Sequence, residues 1–274
     1  MAKLTELKTH FAFGQNWESF EQIVNQDRVS ASIKGMQRLF PNGELKGASL
    51  LDIDCGSGLS SLAAARLGVS ESEAIDIDPN CVSATKRLLS QHLPGFRTVR
   101  ACSVFDLPRS VTRQFDVVYS WGTLHHAGDT WRVIEPAASL VESRGYFAIG
   151  VYRKTPWCDF WTAEKRFYAN APKYIELLIR MLYKGIVFGR MLGGGGNPVK
   201  FVREKRKDRG MDFSRDVHDW LGGYPYESAT ADEVRNFIGG LGLSATREFG
   251  EPHVIKCLYL FTCCNEFIAV RKPT

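Results

Sequence analysis

Two neighbouring side chains stand out as able to move a proton near neutral pH. They are His125 and His126, in the run Ser120-Trp121-Gly122-Thr123-Leu124-His125-His126. An unperturbed imidazole titrates near pH 6.5, so it can take a proton from a hydroxyl as that oxygen attacks. The plainer role, for His125 above all, is packing. His125, His126 and Asp129 do not make a metal site, because adjacent side chains on an extended or turning segment point apart. No metal is expected.

A second chemical grouping lies upstream. Gly56 and Gly58 follow the apolar run Ser49–Ile53 and lead into S-S-L-A-A-A-R-L-G. Strand, glycine turn and helix together aim backbone N–H groups and a positive helix end at a ligand. Asp76 closes the next apolar run, A-I-D-I, where an acidic residue grips the hydroxyls of a ribose. No G-K-S or G-K-T follows the turn, and G-x-G-x-x-G is absent. A nucleoside without a pyrophosphate therefore fits better than NAD or ATP.

Alternating strands and helices must hold these groups. Strands are expected at Ser49–Ile53, Ala74–Ile77, Phe96–Ala101, Phe115–Tyr119 and Gly145–Val151. The first helix would be capped by Ser60 or Ser61 and closed by Gly68; the second opens at Pro79. Asp129 caps a third through Trp131, Ile134, Ala138 and Val141, with Pro136 inside it. A last helix starts at Thr230, followed by strands Leu243–Phe249 and Phe267–Lys272. The pattern predicts a parallel sheet covered on both faces, with right-handed crossovers.

The alternation breaks between residues 153 and 228. Trp157, Phe160, Trp161, Phe167 and Tyr168 share a helical stripe. Tyr174, Leu177, Leu178, Met181 and Leu182 recur at i, i+3, i+4, i+7 and i+8, widened by Ile175, Ile179, Ile186, Val187 and Phe188. So wide an apolar arc is buried by a partner, a lipid or the sheet, and packing into the core is the expectation. A hinge of four glycines, Gly193–Gly196, leads to Lys200–Arg209, expected as a solvated loop. Trp220, Tyr224, Tyr226 and Glu227 gather about a glycine-proline turn. Before the first strand, residues 1–45 bring Phe11, Phe13, Trp17 and Phe20 together as a helical arm, with Trp17 placed to close over a ligand.

Composition narrows the function classes. A chain of 274 residues with 44% hydrophobic content suits one α/β domain with an insertion. Seven cysteines, an odd count without C-x-x-C spacing, read as reduced thiols in a cytoplasm. The start, M-A-K-L-T-E-L-K, has no apolar signal region. Lys200–Arg209 holds six basic and two acidic residues and so carries +4 of the net +5. A neutral body with one basic loop is not the footprint of a nucleic-acid binder. Charges within the apolar arc argue against a membrane span and leave room for peripheral contact. The oligomeric state is not legible.

L-L-D-I-D-C-G-S-G, A-I-D-I-D-P, V-F-D-L-P and F-D-V-V-Y-S-W-G-T-L-H-H resemble, in order and spacing, motifs I to IV of class I S-adenosylmethionine-dependent methyltransferases. The resemblance covers roughly residues 46–152. It implies a Rossmann-like α/β fold, a seven-stranded doubly wound sheet with the last strand antiparallel beside the fifth. It implies S-adenosyl-L-methionine as cofactor, held by Asp52, Asp54, Cys55, Gly56, Gly58, Asp76, Ile77, Ser103, Val104, Ser120 and Trp121. The family usually has glycine where Asp54 stands, and often an acid where Ser103 stands; aspartate tolerates a left-handed backbone better than most residues.

On this basis the chain divides into an N-terminal helical arm or lid (1–45), the cofactor-binding core (46–152), a helical cap for substrate (153–228) and the C-terminal part of the core (229–274). Trp17, Tyr152, Trp161, Tyr224 and Tyr226 are the substrate-binding candidates. His125 and His126 are the catalytic candidates, with Glu227 behind them. The expected reaction is methylation of a small molecule, on oxygen first and nitrogen second. Two alternatives stand beside it: an RNA methyltransferase using 200–209, and a non-catalytic nucleoside-binding module.

Overall fold

Seven strands are laid down as β1 (Ser49–Ile53), β2 (Glu71–Asp76), β3 (Arg97–Ala101), β4 (Phe115–Trp121), β5 (Val141–Tyr152), β6 (Leu243–Phe249) and β7 (Cys264–Arg271) in a computed structural model. The structure describes residues 24–93, 97–209, 213–250 and 264–273. Trp17 lies outside them. The strands form one sheet in the order β3-β2-β1-β4-β5-β7-β6. β1 to β5 run parallel, and β7 runs antiparallel to both β5 and β6. This is the sheet the resemblance implied.

The helices are α1 (Gln26–Leu39), α2 (Leu59–Arg66), α3 (Pro79–His92), the short α4 (Leu107–Ser110), α5 (Thr130–Ser139), α6 (Cys158–Ala169), α7 (Lys173–Gly193), α8 (Pro198–Arg209), α9 (Phe213–Gly222) and α10 (Ala231–Gly240). Their starts follow local chemistry. Asp78 accepts from the Asn80 N–H at 2.8 Å ahead of Pro79, and Asp129 accepts from the Arg132 N–H at 3.3 Å. Thr230 and Glu233 exchange bonds as a capping box. Pro136 sits inside α5 without ending it.

Because both faces of the sheet are covered, its central strands are largely apolar, with polar positions at Asp52 in β1 and at Asp116 and Ser120 in β4. Ile53, Ile75, Val118 and Phe147 pack under α5 and α10 through Val133, Ile134, Val234 and Ile238. Leu50, Val117, Ala148 and Ile268 pack under α1 and α2 through Met36, Leu39, Ala63 and Ala64. The segment between β5 and α10 has a core of its own, built from Trp161, Tyr168, Tyr183, Val187, Phe213, Val217, Trp220 and Tyr226.

Several expectations are corrected. Neither Ser60 nor Ser61 caps α2: Gly58 holds that position with φ 80°, and no side chain bonds the helix start. The Ser61 hydroxyl donates instead to buried Asp52 at 2.5 Å. Residues 200–209 are helical, not a loop, since they continue α8 from Pro198. The apolar arc of α7 does not pack into the core: Tyr174, Leu177, Leu178, Met181, Leu182 and Ile186 face outward, and only Tyr183 and Val187 are buried.

Gly58 is pressed against α3. A Cβ there would lie 2.8 Å from Thr85 Cγ2 and 3.1 Å from its Cα, on a backbone already in the left-handed region. Gly58→Ala should lower stability by roughly 1–3 kcal/mol. Urea titration checks it; an unchanged midpoint would mean that α2 and α3 separate freely at this contact.

Candidate active site

The glycine turn is held open by three left-handed residues in five: Asp54 (φ 57°), Gly56 (φ 57°) and Gly58 (φ 80°). Aspartate thus occupies the conformation at which a glycine is usual. The turn is pinned to β2 by Cys55 N donating to the Ile75 carbonyl at 3.0 Å and closed by Gly58 N donating to the Cys55 carbonyl at 2.8 Å. Asp76 ends β2. One carboxylate oxygen accepts the Gly56 N–H at 3.0 Å, and the other accepts the Asp78 N–H at 2.8 Å. From α3, the Thr85 hydroxyl donates to the Gly56 carbonyl at 3.0 Å and lies 3.3 Å from Cys55 Sγ.

Three carboxylates therefore crowd one turn. Burial pushes Asp52 up to about 7 against the bond from Ser61, and the Asp76 charge adds to the rise. Burial and the neighbouring Asp76 push Asp54 up to about 7 although Thr123 bonds it. Burial raises Asp76 to about 6 against its two backbone bonds. The same burial and charges push the Cys55 thiol up, so it is no nucleophile. Such a pocket favours a cation.

The end of β4 joins this turn directly. β4 extends two residues beyond Tyr119, which places Ser120 and Trp121 in the strand. The buried Ser120 hydroxyl donates to the Ile53 carbonyl at 3.4 Å and lies 3.0 Å from the Thr123 hydroxyl. The Thr123 side chain faces Asp54 and favours its ionised form. Trp121 is half-buried, stacked parallel to Tyr119 at 5.8 Å. Ile77, beyond β2, is half-buried. Beyond β3, the Ser103 hydroxyl accepts the Phe105 N–H at 3.3 Å, and Val104 is buried.

The two histidines have different surroundings. His125 is fully buried, its ring 3.7 Å from the Tyr152 ring and 4.4 Å from that of His126. Burial, with His126 and Lys165 near, holds it neutral, well below the usual imidazole range. His126 Nδ1 lies 2.7 Å from the Pro225 carbonyl. A carbonyl only accepts, so Nδ1 carries the proton and, in the neutral ring, the lone pair sits on Nε2. A Cβ on Gly223 would come within 2.8 Å of His126 Cε1, so a glycine there lets the ring seat.

Glu227 serves the frame. Its carboxylate accepts from the Thr130 N–H at 2.8 Å and the Thr130 hydroxyl at 2.7 Å, at the start of α5. Its own N–H donates to the His125 carbonyl at 3.1 Å. Tyr152, Trp161, Trp220 and Tyr226 form an aromatic wall, with ring centroids 5.3 to 6.3 Å apart between neighbours. Tyr224 lines a groove along α6 with Asp159, Arg166, Phe167 and Asn170.

Lys165 had not been singled out in the sequence. It is wholly buried, 3.6 Å from the Trp220 ring centre, and donates to the Trp220 carbonyl. Burial pushes its ammonium down to about 7 and the adjacent Glu164 carboxyl up to about 7. Spacing could have revealed it, because Lys165 stands four residues after Trp161 and three before Tyr168, on their face of α6. Among the described residues no group of three or more His, Cys, Asp or Glu is arranged to hold a metal.

A family model described as "Methyltransferase domain" matches residues 44–206, more than half of the chain. A ubiquinone biosynthesis O-methyltransferase from Xanthomonas euvesicatoria pv. vesicatoria is 34% identical over 142 residues, covering 52% of this chain and 55% of that protein. The chain thus spans about half the length of the curated relatives it matches. Magnesium protoporphyrin IX methyltransferase from Synechocystis PCC 6803, crystallised with bound SAH, superposes with a TM-score of 0.56 at 16% identity, covering 94% of both chains. An O-methyltransferase family protein from Burkholderia thailandensis gives a TM-score of 0.52 at 15% identity, covering 89% of this chain and 58% of the other. At such identities the superpositions establish the fold.

The carboxylate cluster makes stability pH-dependent. Asp54 holds its proton in the folded state well above the unfolded value near 3.9, so folding binds protons between about pH 4 and 7, and stability falls as pH rises through that window. Asp54→Asn removes the charge and keeps the shape. It should gain roughly 1–2 kcal/mol over the natural protein at pH 8, allowing for solvent at a half-buried group, and almost nothing at pH 4. Denaturant titrations at both pH values check it; equal gains at both would mean that Asp54 titrates alike in the folded and unfolded chain.

Proposed function

The chain belongs to the methyltransferase-domain family, and we propose that it uses S-adenosylmethionine to methylate a hydroxyl of a small, partly aromatic or lipidic molecule. The observation that carries this is the meeting of the glycine turn and the end of β4, where the Ser120 hydroxyl donates to the Ile53 carbonyl and Thr123, beside Ser120, faces Asp54. A cation-binding pocket and a proton acceptor thus share one rigid frame.

The donor set suits the cofactor. Each Asp76 oxygen accepts one backbone N–H and keeps a second lone pair, so the carboxylate can also take both ribose hydroxyls. Asp52 and Asp54 supply negative charge toward the ammonium and sulfonium ends. Cys55, Gly56 and Gly58 shape the wall beside the methionine moiety. Ile77, Ser103 and Val104 would flank the nucleoside, and Ser120 and Trp121 the floor. When bound, the cofactor supplies a methyl group on positively charged sulfur.

This chain's own groups do the rest. Half-buried Tyr152 offers its ring to a flat substrate, backed by the buried Trp161 and Tyr226, with Tyr224 at the groove along α6. His126, proton on Nδ1, receives the substrate's proton on Nε2. His125, buried and neutral, is the plate on which Tyr152 and His126 rest. Glu227 is better understood as the clamp that fixes the start of α5. Methylation on oxygen follows the reaction named for the curated relatives. Cys55, Cys81, Cys102 and Cys158 are free thiols, which suits a reducing cytoplasm.

Calorimetry tests the cofactor. The natural protein should bind S-adenosylmethionine, and Asp76→Ala should weaken it about tenfold to a hundredfold by loss of a charge-assisted pair. No binding by the natural protein would end the proposal; unchanged affinity in the variant would remove Asp76 from the site.

The base is tested separately. His126→Gln should lower turnover roughly 10²–10⁴-fold with cofactor affinity unchanged, and should abolish the acid limb of the pH–rate profile. Mass spectrometry of cell extract incubated with methyl-labelled cofactor would identify a substrate for that assay. Full turnover with the same pH profile would make His126 structural.

A further inference from the structure

Helix α7 wears its apolar side outward. Tyr174, Leu177, Leu178, Met181, Leu182 and Ile186 repeat at helical spacing, and each is 51% to 72% exposed. The charged residues within the same span, Glu176, Arg180 and Lys184, lie on the protein-facing flank and are only partly exposed; Lys184 Nζ donates to the Ser214 hydroxyl at 2.9 Å. A helix on a water-facing surface shows the reverse arrangement. From Tyr174 to Ile186 the stripe is about 18 Å long, at 1.5 Å per residue. Among the described residues no helix is long and apolar enough to cross a membrane.

Charge identifies what covers the stripe. Lys173–Arg209 contains ten basic and three acidic residues, a net +7. The whole chain carries +5, so the remainder is −2. The stripe is bracketed by exposed Lys173 and Arg190, and the basic helix α8 packs against α7. A second copy would set one +7 segment against another, which like-charge repulsion opposes. An anionic bilayer offers the opposite charge and an apolar interior at one plane. The helix before it, α6, adds exposed Phe160 and Phe167, preceded by exposed Trp157, the ring-bearing residues that settle at a lipid headgroup boundary.

We propose that α7 lies flat on an anionic phospholipid surface, its apolar stripe among the acyl chains and the exposed Lys173, Arg190, Lys200 and Arg203 against the headgroups. The inference stands on this surface alone and does not depend on the reaction.

Flotation with vesicles tests it, using the full chain. The protein should float with phosphatidylcholine–phosphatidylglycerol vesicles and roughly tenfold less with phosphatidylcholine alone, and about 0.5 M NaCl should release part of it. Leu178→Gln with Leu182→Gln should abolish flotation while leaving cofactor affinity and the thermal midpoint unchanged, which shows that the variant is folded. Lys173→Glu with Arg190→Glu should weaken binding to anionic vesicles only. Failure of the natural protein to float at low salt would overturn the proposal. So would equal flotation of the Leu178→Gln, Leu182→Gln variant, or a dimer in solution that this variant converts to monomer.

Discussion

Three carboxylates crowd one turn and repel one another, and the fold tolerates them by setting donors about them. Asp76 takes two backbone N–H groups, Asp52 takes the Ser61 hydroxyl, and half-buried Asp54 faces Thr123. Those donors come from the turn itself, from α2 and from the end of β4. The electrostatic demand of the cluster therefore dictates how three elements meet. A site that waits with unneutralised negative charge is less stable empty than filled by a cation, so ligand binding and folding support each other. The turn can hold an aspartate in a left-handed conformation because aspartate tolerates that backbone better than most residues.

The parts of this arrangement that repeat along the chain were legible without coordinates. Apolar runs ended by glycine or aspartate gave the strands, and the acid at the end of β2 falls where the turn needs it. Periodicity shows which residues share a face, but not whether that face meets protein or solvent. For α7 the two possibilities look alike in sequence, since Tyr183 and Val187 anchor it while Leu178 and Leu182 look outward. Ser61 was misjudged for a related reason: a serine near a helix start is an ordinary cap, and only the neighbouring strand shows that Asp52 claims its hydroxyl. Residues 200–209 looked like a loop because charge was weighed above helix propensity, and lysine, arginine and glutamate are good helix formers. Lys165 was hidden by its type, since a buried lysine is rare enough to be passed over on a helix of aromatics.

The catalytic candidates show the same limit. Two adjacent histidines are indistinguishable in sequence, yet one is sealed beneath Tyr152 and the other leans on a carbonyl 99 residues away. Long-range contacts, not spacing, tell the two apart. The cap is likewise more than a cover, because its core of Trp161, Trp220 and Tyr226 is locked by a lysine whose charge the surrounding rings stabilise.

The bond from His126 to the Pro225 carbonyl joins a residue of the nucleotide-binding half to the segment inserted after β5. Together with Gly223 behind the ring, it makes the orientation of the imidazole a property of the insertion rather than of the strand that carries it. The two halves are therefore not interchangeable parts. On the role proposed for His126, a sheet and glycine turn excised from this chain would keep the geometry for gripping a nucleoside and lose the aim of the proton acceptor. A chimera bearing another protein's insertion would inherit that protein's aim instead. Changes to the cap that never touch the cofactor would then retune the chemistry and the choice of substrate in one step.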